Sequence, residues 1–269
     1  MNDVFSNLLD VCIVVYLDDI LIYSNDITQH WSYVKEVLKQ LHKSGLYAKA
    51  EKCKFHSDSI EYLGYVLSPS GLTMFDTKVK TIQEWLEPKK IKNIQSFLGF
   101  ANFYKRFIFN YSDIVILLTH LTRKNTPWNF DDKCRMAFNT LKQAFTSTPI
   151  LTHWIPDAQL VMETNALDYA LAAILSIMTK DDEIYPIAFH SQTFSAPELN
   201  YDVHDKELLV IFKAFKIWRY YLKGSALPID VVMDHKNLEY FSMTKILMRQ
   251  LLGNHSEAIT LKLIDSSRS

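Results

Sequence analysis

Two adjacent acids, Asp18 and Asp19, have side chains and a setting that could do chemistry. They stand between two short apolar runs, Cys12–Tyr16 and Ile20–Tyr23, whose length and β-branched content are typical of buried strands. A turn between two buried strands holds its side chains rigidly, and neighbouring carboxylates repel each other unless a cation lies between them. Mg²⁺ suits such a place because it binds a few carboxylates together with substrate phosphates. The alternative is a solvated Asp-Asp turn, since Asp is a common turn residue.

A further acid, Asp234, directly follows the short apolar run Ile229–Met233. An acid immediately after a buried strand is well placed to bind a metal ion, and it is equally well placed to cap the next helix. Both interpretations stay open on the residues alone.

Basic side chains accompany aromatic ones between residues 76 and 108. The segment Asn93–Ile108 has several aromatics at helical spacing, and the cations in and around it are Lys78, Lys80, Lys89, Lys90, Lys92, Lys105 and Arg106. Basic residues beside aromatic ones suit binding to the backbone and bases of a nucleic acid. A solvated face over an ordinary core explains the same pattern.

The composition limits the classes of protein that remain. The chain has 269 residues, of which 48% are hydrophobic and 22% charged, which allows two modest domains or one large one. Its formal net charge is −1, so any nucleic-acid surface must be a local patch. The three cysteines form no CxxC pair, and neither a membrane-spanning run nor a secretory signal is visible. We therefore expect an intracellular protein of the cytoplasm or nucleus, without a membrane partner.

The elements that must position these residues fall into two parts. In the first part, turn residues at 25–28 introduce an amphipathic helix, and apolar runs predict strands at Lys52–Phe55 and Ile60–Leu67. Further amphipathic helices follow from Asp76 onward.

From Trp154 the pattern changes to one of strands and helices. A helix is predicted over Asp205–Tyr220, and the strand candidates are Gln159–Thr164, Ala170–Ser176, Ile184–Ser191 and Ile229–Met233. A mixed sheet with helices on its faces accounts for this order, so the predicted fold class is α/β, in the α+β sense for the chain as a whole.

Tyr16-Leu17-Asp18-Asp19 resembles the YxDD box of reverse transcriptases, in the form found in gypsy-type LTR retrotransposons. In that family the box lies on a hairpin of the palm domain, and its acids help to hold the two metal ions of DNA polymerisation. The metals stabilise the attacking 3′ oxygen and the leaving pyrophosphate of an in-line displacement. The resemblance implies catalytic and metal-binding roles for Asp18 and Asp19, with Mg²⁺ or Mn²⁺ as the cofactor.

Further motifs follow in the family's order over roughly residues 1 to 250. Residues 42–49 and 52–55 look like the palm segment after the hairpin, Tyr62-Leu63-Gly64-Tyr65 resembles the primer-grip hairpin, and residues 95–104 are similar to the thumb signature. The resemblance implies a primer–template or an RNA–DNA hybrid as partner. The residues that it marks for nucleic-acid binding are Tyr16, Tyr62, Leu63, Gly64, Lys78, Lys105 and Arg106.

The C-terminal half resembles the RNase H domain of the same elements, in which two metal ions cut the RNA of an RNA–DNA hybrid. Glu207 matches the family's helical Glu, and Asp234 matches its Asp after a later strand, which implies catalytic and metal-binding roles for both. Asn165 stands where the family has its first Asp. An amide brings no negative charge to a two-metal site, so we expect RNase H chemistry to be severely impaired.

The resemblance also predicts the domain organisation. Relative to the family we expect truncation at both ends, with the first palm acid missing and the last sheet elements absent after Gln250. A reading-frame change or an aberrant splice would account for the divergent end. The expected segments are a partial palm with the YLDD and primer-grip-like hairpins (1–75), thumb-like helices (76–112), a connection (113–153), an RNase H-like mixed-sheet domain (154–250) and a divergent tail (251–269).

Three functional hypotheses follow. The chain is a fragment of a retrotransposon RNA-directed DNA polymerase with RNase H, a nucleotidyltransferase and endonuclease by family but inactive as this isolated chain. Alternatively, it is a non-catalytic module that binds a primer–template or hybrid, or an unselected relic reading frame. Activity of the purified chain separates the first from a competent enzyme, and salt-dependent binding that survives EDTA identifies the second.

Overall fold

The computed structural model describes residues 1–223, 225–233 and 261–265. The chain forms two compact units, Met1–Leu63 and Gly64–Ser269. Both helices and sheets are present, as the predicted fold class requires.

The first unit is built on an antiparallel hairpin and one long helix. Strands β1 (Ile13–Tyr16) and β2 (Asp19–Ile22) pair so that Tyr16 lies opposite Asp19. Helix α1 (Ile27–Lys43) begins after Asp26, whose carboxylate accepts a hydrogen bond from the Thr28 N–H at 2.7 Å and satisfies a free donor of the first turn. The apolar core between hairpin and helix consists of Phe5, Leu8, Cys12, Ile13, Val37 and Leu41.

The rest of the first unit differs from the prediction at one point. The predicted strand over Lys52–Phe55 is wrong, because Ala50–Lys52 forms a 3-10 turn and residues 53–55 are not in a strand. The segment alternates charged residues with only Cys53 and Phe55, and a half-exposed Phe55 provides little burial to hold a strand. Strand β3 (Ile60–Tyr62) ends the unit.

The second unit begins with the antiparallel strands β4 (Tyr65–Ser68) and β5 (Gly71–Met74), where Ser68 pairs with Gly71. The predicted run Ile60–Leu67 is thus interrupted at residues 63 and 64. Beyond β5, the Leu72 N–H donates to the Leu151 carbonyl at 2.7 Å, and the Leu151 N–H donates back to Leu72 at 3.0 Å. This bridge ties the start of the unit to a segment far along the chain.

A helical region with an aromatic core follows. Its centre contains Phe97, Phe107, Phe138 and Phe145, all nearly inaccessible to solvent. The predicted helix Asn93–Ile108 is shorter than expected, since the chain tightens into a 3-10 turn at Lys105–Phe107. The helices are α2 (Asp76–Gln83), α3 (Ile91–Phe103), α4 (Tyr111–Ile114), α5 (Ile116–His120) and α6 (Asp132–Thr146).

The C-terminal part is a mixed sheet, as the sequence predicts, but it has five strands where the sequence predicts four. Its strands lie in the order β10-β9-β6-β7-β8, with β10, β9 and β6 parallel and the others antiparallel. Helix α8 packs on β6 and β7 over a large apolar core. The elements are β6 (Gln159–Ala166), β7 (Ala170–Met178), β8 (Ile184–Thr193), α7 (Ala196–Leu199), α8 (Val203–Ile217), α9 (Arg219–Leu222), β9 (Ile229–Met233) and β10 (Leu261–Asp265).

Strand β10 corrects the expectation that the last sheet elements are absent. Leu261 lies opposite Ile229, and Asp265 lies opposite Met233. The segment Leu261–Asp265 alternates apolar and polar residues only over its first three positions, and the strand is defined by its pairing with β9. Over the ranges that the structure covers, no helix is long and apolar enough to cross a membrane.

Candidate active site and nucleic-acid interface

The paired acids occupy the tip of the first hairpin. Leu17 and Asp18 form the two-residue turn, and Leu17 adopts a left-handed φ of +53°. Asp19 is the first residue of β2, and both carboxylates are exposed to solvent. The predicted turn between two strands is confirmed, and it presents both carboxylates where a ligand can reach them.

Tyr62 lies beside this hairpin within the first unit. Its hydroxyl donates to the Val14 carbonyl of β1 at 3.4 Å. Partial desolvation, reinforced by the negative charge of Asp19, raises the pKa of the Tyr62 phenol. The structure therefore brings one residue of the primer-grip-like motif next to the YLDD motif.

Leu63 and Gly64 form a tight turn that requires positive φ at both positions, +50° and +84°. Two such residues between short strands are typical of a type I′ hairpin turn. In the second unit, a Cβ atom on Gly64 would lie 3.1 Å from Cε1 of Phe103. The Tyr104 hydroxyl also donates to the Gly64 carbonyl at 3.2 Å. Gly64 is thus fixed against the end of α3 both by its conformation and by lack of space.

An aromatic and cationic cluster surrounds the start of β4. The rings of Tyr65 and Phe103 stack with centroids 5.4 Å apart and planes 10° from parallel. The Arg106 guanidinium lies 5.9 Å from the Tyr65 ring centroid. Desolvation raises the pKa of Tyr65, and the Arg106 charge opposes that shift. Lys105 is exposed, which leaves its charge accessible to an anion.

The predicted nucleic-acid-binding residues do not include two members of this cluster. Tyr65 and Phe103 were not among them, although both lie within the primer-grip-like and thumb-like motifs. Their pairing joins positions 38 residues apart, as the hydrogen bond from the Tyr65 hydroxyl to the Phe103 carbonyl also does. Lys78 is exposed on α2.

The RNase H-like positions lie around β6 and α8. Asn165 is half-buried near the end of β6, opposite Ala172 of β7. Glu207 is half-buried in the second turn of α8, the helix that packs on β6. Parallel strand β9 ends at Met233, which pairs with Thr164. Asp234 follows in sequence and lies outside the described residues.

The sequence predicts two separate donor sets, Asp18 with Asp19 and Glu207 with Asp234. Asp18 and Asp19 belong to the first unit and Glu207 to the second. Within residues 1–223, 225–233 and 261–265, no group of three or more His, Cys, Asp or Glu side chains could hold a metal ion. A two-metal centre relies on several carboxylates, so the donors within these ranges do not by themselves complete one.

The fold and the site together define a class. The first unit contains the exposed Asp-Asp hairpin, and the second contains the aromatic and cationic cluster and the mixed sheet. Residues 1–67 match the family of reverse transcriptases (RNA-dependent DNA polymerases), and residues 130–229 match the RNase H-like domain found in reverse transcriptase.

The similar proteins specify the class further. The transposon Tf2-3 and Tf2-7 polyproteins of Schizosaccharomyces pombe are each 34% identical to this chain over 238 residues, which is 88% of this chain and 18% of theirs. This chain therefore carries reverse transcriptase and RNase H-like domains of the retrotransposon polyprotein type, as the sequence motifs predict. It spans less than a fifth of the length of those relatives.

Solved structures share the fold. The foamy viral protease-reverse transcriptase in complex with an RNA/DNA hybrid matches with a TM-score of 0.78 and 21% identity, over 100% of this chain and 37% of that one. The same viral protein in complex with dsDNA matches with a TM-score of 0.77 and 22% identity, over 100% and 57%. Reverse transcriptase and RNase H-like families generally use Mg²⁺. The roles of individual site residues and the five segment boundaries stay predictions.

Proposed function

We propose that this chain is the part of a retrotransposon reverse transcriptase that holds a primer–template or an RNA–DNA hybrid, and that by itself it neither extends nor cleaves the nucleic acid. One observation carries the second half of the proposal. Within the described ranges the acidic side chains provide a pair at the hairpin tip and no larger donor set. The chain acts inside the cell, in the cytoplasm or nucleus.

The binding half of the proposal rests on the cationic aromatic cluster. Tyr65, Phe103 and Arg106 form a stacked group in which the ring of Phe103 stays 52% exposed. Exposed rings offer a surface for sugars and bases, and adjacent cations attract phosphates. The related viral structures, which share the fold, hold dsDNA and an RNA/DNA hybrid.

Asn165 accounts for the lack of hybrid cleavage in the proposal. At neutral pH its amide is uncharged, so the RNase H-like site has one negative charge fewer than a site with Asp. Mg²⁺ or Mn²⁺ would be held there by Glu207 and Asp234, and at the hairpin by Asp18 and Asp19. A bound metal would supply Lewis-acid stabilisation of a phosphoryl-transfer transition state. The amide of Asn165 weakens that binding by removing charge.

A binding assay tests the first half of the proposal. Fluorescence anisotropy of a labelled RNA–DNA hybrid in EDTA should show binding that weakens with salt. A slope of log K against log salt of about −2 to −4 corresponds to a few phosphate contacts. The double substitution of Lys105 and Arg106 by Ala should make this slope shallower, lowering its magnitude by about 2. Lys180→Ala, an exposed lysine beside Asp181 and Asp182, is the matched control and should leave the slope unchanged.

An activity assay tests the second half. The purified chain is incubated with primer–template and nucleotides, or with hybrid, in Mg²⁺ and in Mn²⁺. We expect neither primer extension nor cleavage above the buffer control. Extension abolished by Asp18→Asn, or cleavage abolished by Glu207→Gln, would show that the chain is a competent enzyme. Absence of hybrid binding in EDTA would refute the binding role.

A further inference from the structure

Two stretches of the second unit contain cations and no acids, although the whole chain is close to neutral. Between Glu87 and Asp113 the sequence has five basic residues and no Asp or Glu, and between Glu207 and Asp230 it has four. Such local excess creates a positive potential that the net charge of −1 conceals. The basic residues are Lys89, Lys90, Lys92, Lys105 and Arg106 in the first stretch, and Lys213, Lys216, Arg219 and Lys223 in the second.

Residues from both stretches contact the same strand, β8. The 3-10 turn Lys105–Phe107 packs against β8. On the same strand, the ring of His190 lies against Trp218, with centroids 6.3 Å apart, and Trp218 directly precedes α9. Lys105 and Lys213 both disfavour protonation of His190, after the larger effect of its desolvation, which lowers its pKa to about 4. Lys105 of the 3-10 turn and Trp218 at the start of α9 therefore both lie near His190.

Tyr220 of α9 is the most exposed aromatic side chain in this region, with 67% of its surface accessible. Its ring rests on Tyr221, with centroids 4.2 Å apart, and Tyr221 packs against the apolar core of the sheet. The ring is thus supported on one side and largely open on the other. Desolvation of the hydroxyl and the neighbouring Tyr221 raise the pKa of Tyr220 to about 12, and the nearby Arg106 charge opposes the shift. The phenol consequently stays neutral at physiological pH.

Three cations of these two stretches are not neutralised by acids. Arg106 is half-buried, Lys105 and Arg219 are exposed, and none of the three forms an ion pair with a carboxylate in the part of the chain that the structure describes. By contrast, Lys213 pairs with Glu198 at 2.7 Å. A supported, open ring with Arg219 adjacent in sequence and the Arg106 charge nearby suits a flat, anionic ligand.

We propose that Tyr220, together with Arg106 and Arg219, binds an unpaired nucleotide of a strand that extends beyond the duplex. The base stacks on the Tyr220 ring, and the adjoining phosphates lie against the two guanidinium groups. A paired base is already stacked within its helix and offers no free face, so the site favours a single-stranded extension over a blunt end. The inference rests on the proposed binding of hybrids and adds to it a distinct subsite between the 3-10 turn and α9.

The test compares two probes in EDTA by fluorescence anisotropy: a blunt RNA–DNA hybrid and the same hybrid with a short single-stranded extension. We expect the extension to tighten binding about tenfold, the value of one base stack. Tyr220→Ala should remove this preference and leave blunt-hybrid affinity unchanged. Tyr220→Phe keeps the ring and should keep the preference, which separates stacking from loss of the hydroxyl.

Tyr185→Ala is the matched control, since Tyr185 is 43% exposed in the same unit but hydrogen-bonds to Glu183 in an acidic loop. It should retain the preference for the extension. Thermal unfolding of each variant verifies that Tyr220→Ala is folded. If the wild type binds blunt hybrid without preferring the extension, or if Tyr220→Ala retains the preference, the subsite is refuted while the proposed function stands. If the wild type binds neither probe, the proposed function fails first.

Discussion

Substitution of Gly71 by Ala should destabilise the second unit strongly. Gly71 has a φ of +135°, a conformation that residues with a Cβ atom rarely adopt. A Cβ atom there would lie 2.2 Å from the Leu151 carbonyl oxygen and 3.0 Å from the Leu151 carbonyl carbon. That oxygen is the acceptor of the 2.7 Å hydrogen bond from Leu72. Because the obstacle is backbone, neither side can yield without opening the bridge between Leu72 and Leu151.

The magnitude follows from two contributions. Unfavourable φ costs about 1–3 kcal/mol. Opening the bridge removes two backbone hydrogen bonds, which contribute about 1 kcal/mol each. Gly71→Ala should therefore lower the free energy of unfolding by about 3–5 kcal/mol. For a unit of this size, that corresponds to a decrease in Tm of about 10 °C.

Two other glycines provide controls for the clash. Gly45 has a φ of +66°, and a Cβ atom there would meet nothing within 4 Å, so Gly45→Ala costs only the backbone strain of about 1 kcal/mol. Gly99 lies within α3 with open space around it, and Gly99→Ala should stabilise the helix by about 0.5–1 kcal/mol. Urea unfolding followed by tryptophan fluorescence measures all three variants. A Gly71→Ala variant no less stable than Gly45→Ala would refute the reasoning.

Three further results are expected. Gly64→Ala forces a strained φ and pushes Phe103 from its stack on Tyr65, so its affinity for hybrid in anisotropy should fall several-fold; an unchanged affinity would argue against this cluster as the binding surface. Folding lowers the pKa of His190 from its ordinary 6.5 to about 4, so the folded state favours the neutral imidazole. The contribution of this imidazole to the free energy of unfolding is therefore fully present above pH 6.5. That stability is lost as pH falls from 6.5 to about 4, at up to ~1.4 kcal/mol per pH unit, and urea unfolding of His190→Phe should show a flatter pH profile. Asn165→Asp restores a negative charge and should give Mg²⁺-dependent hybrid cleavage about tenfold or more above the buffer control, which Glu207→Gln should abolish; cleavage no higher than that of the wild type would mean that Asn165 is not the limiting defect.

Local patterns predicted the parts of the fold that local forces determine. The β-branched runs around Asp18 and Asp19 gave the correct hairpin, because two short apolar strands and a two-residue turn need no distant partner. The strand over Gln159–Thr164 was likewise correct and extends two residues further, to Ala166. Asp131 caps α6 through the Cys134 N–H, so the start of that helix also follows from neighbours in sequence.

The remaining features depend on contacts between distant residues. Strand β10 is defined by pairing with β9, and its short sequence alone does not distinguish it from an irregular tail. The stack of Tyr65 on Phe103 and the exposure of Tyr220 follow from tertiary packing, which periodicity does not encode. At Lys52–Phe55 the apolar residues predicted a strand, and the structure has a 3-10 turn and irregular chain there instead.

The order of strands in the mixed sheet has a consequence for how the chain folds during synthesis. Strands β6, β7 and β8 are consecutive and can pair as soon as they leave the ribosome. Strand β9 must then insert beside β6, where Val161 meets Asp230, and β10 adds outside β9. The pairing of β9 with β6 and of β10 with β9 joins residues far apart in sequence, and such long-range pairing slows folding. Until the last strand has emerged, the β9 edge of the nascent sheet is open to pairing with other chains, so slow translation or early termination just before β10 should promote aggregation.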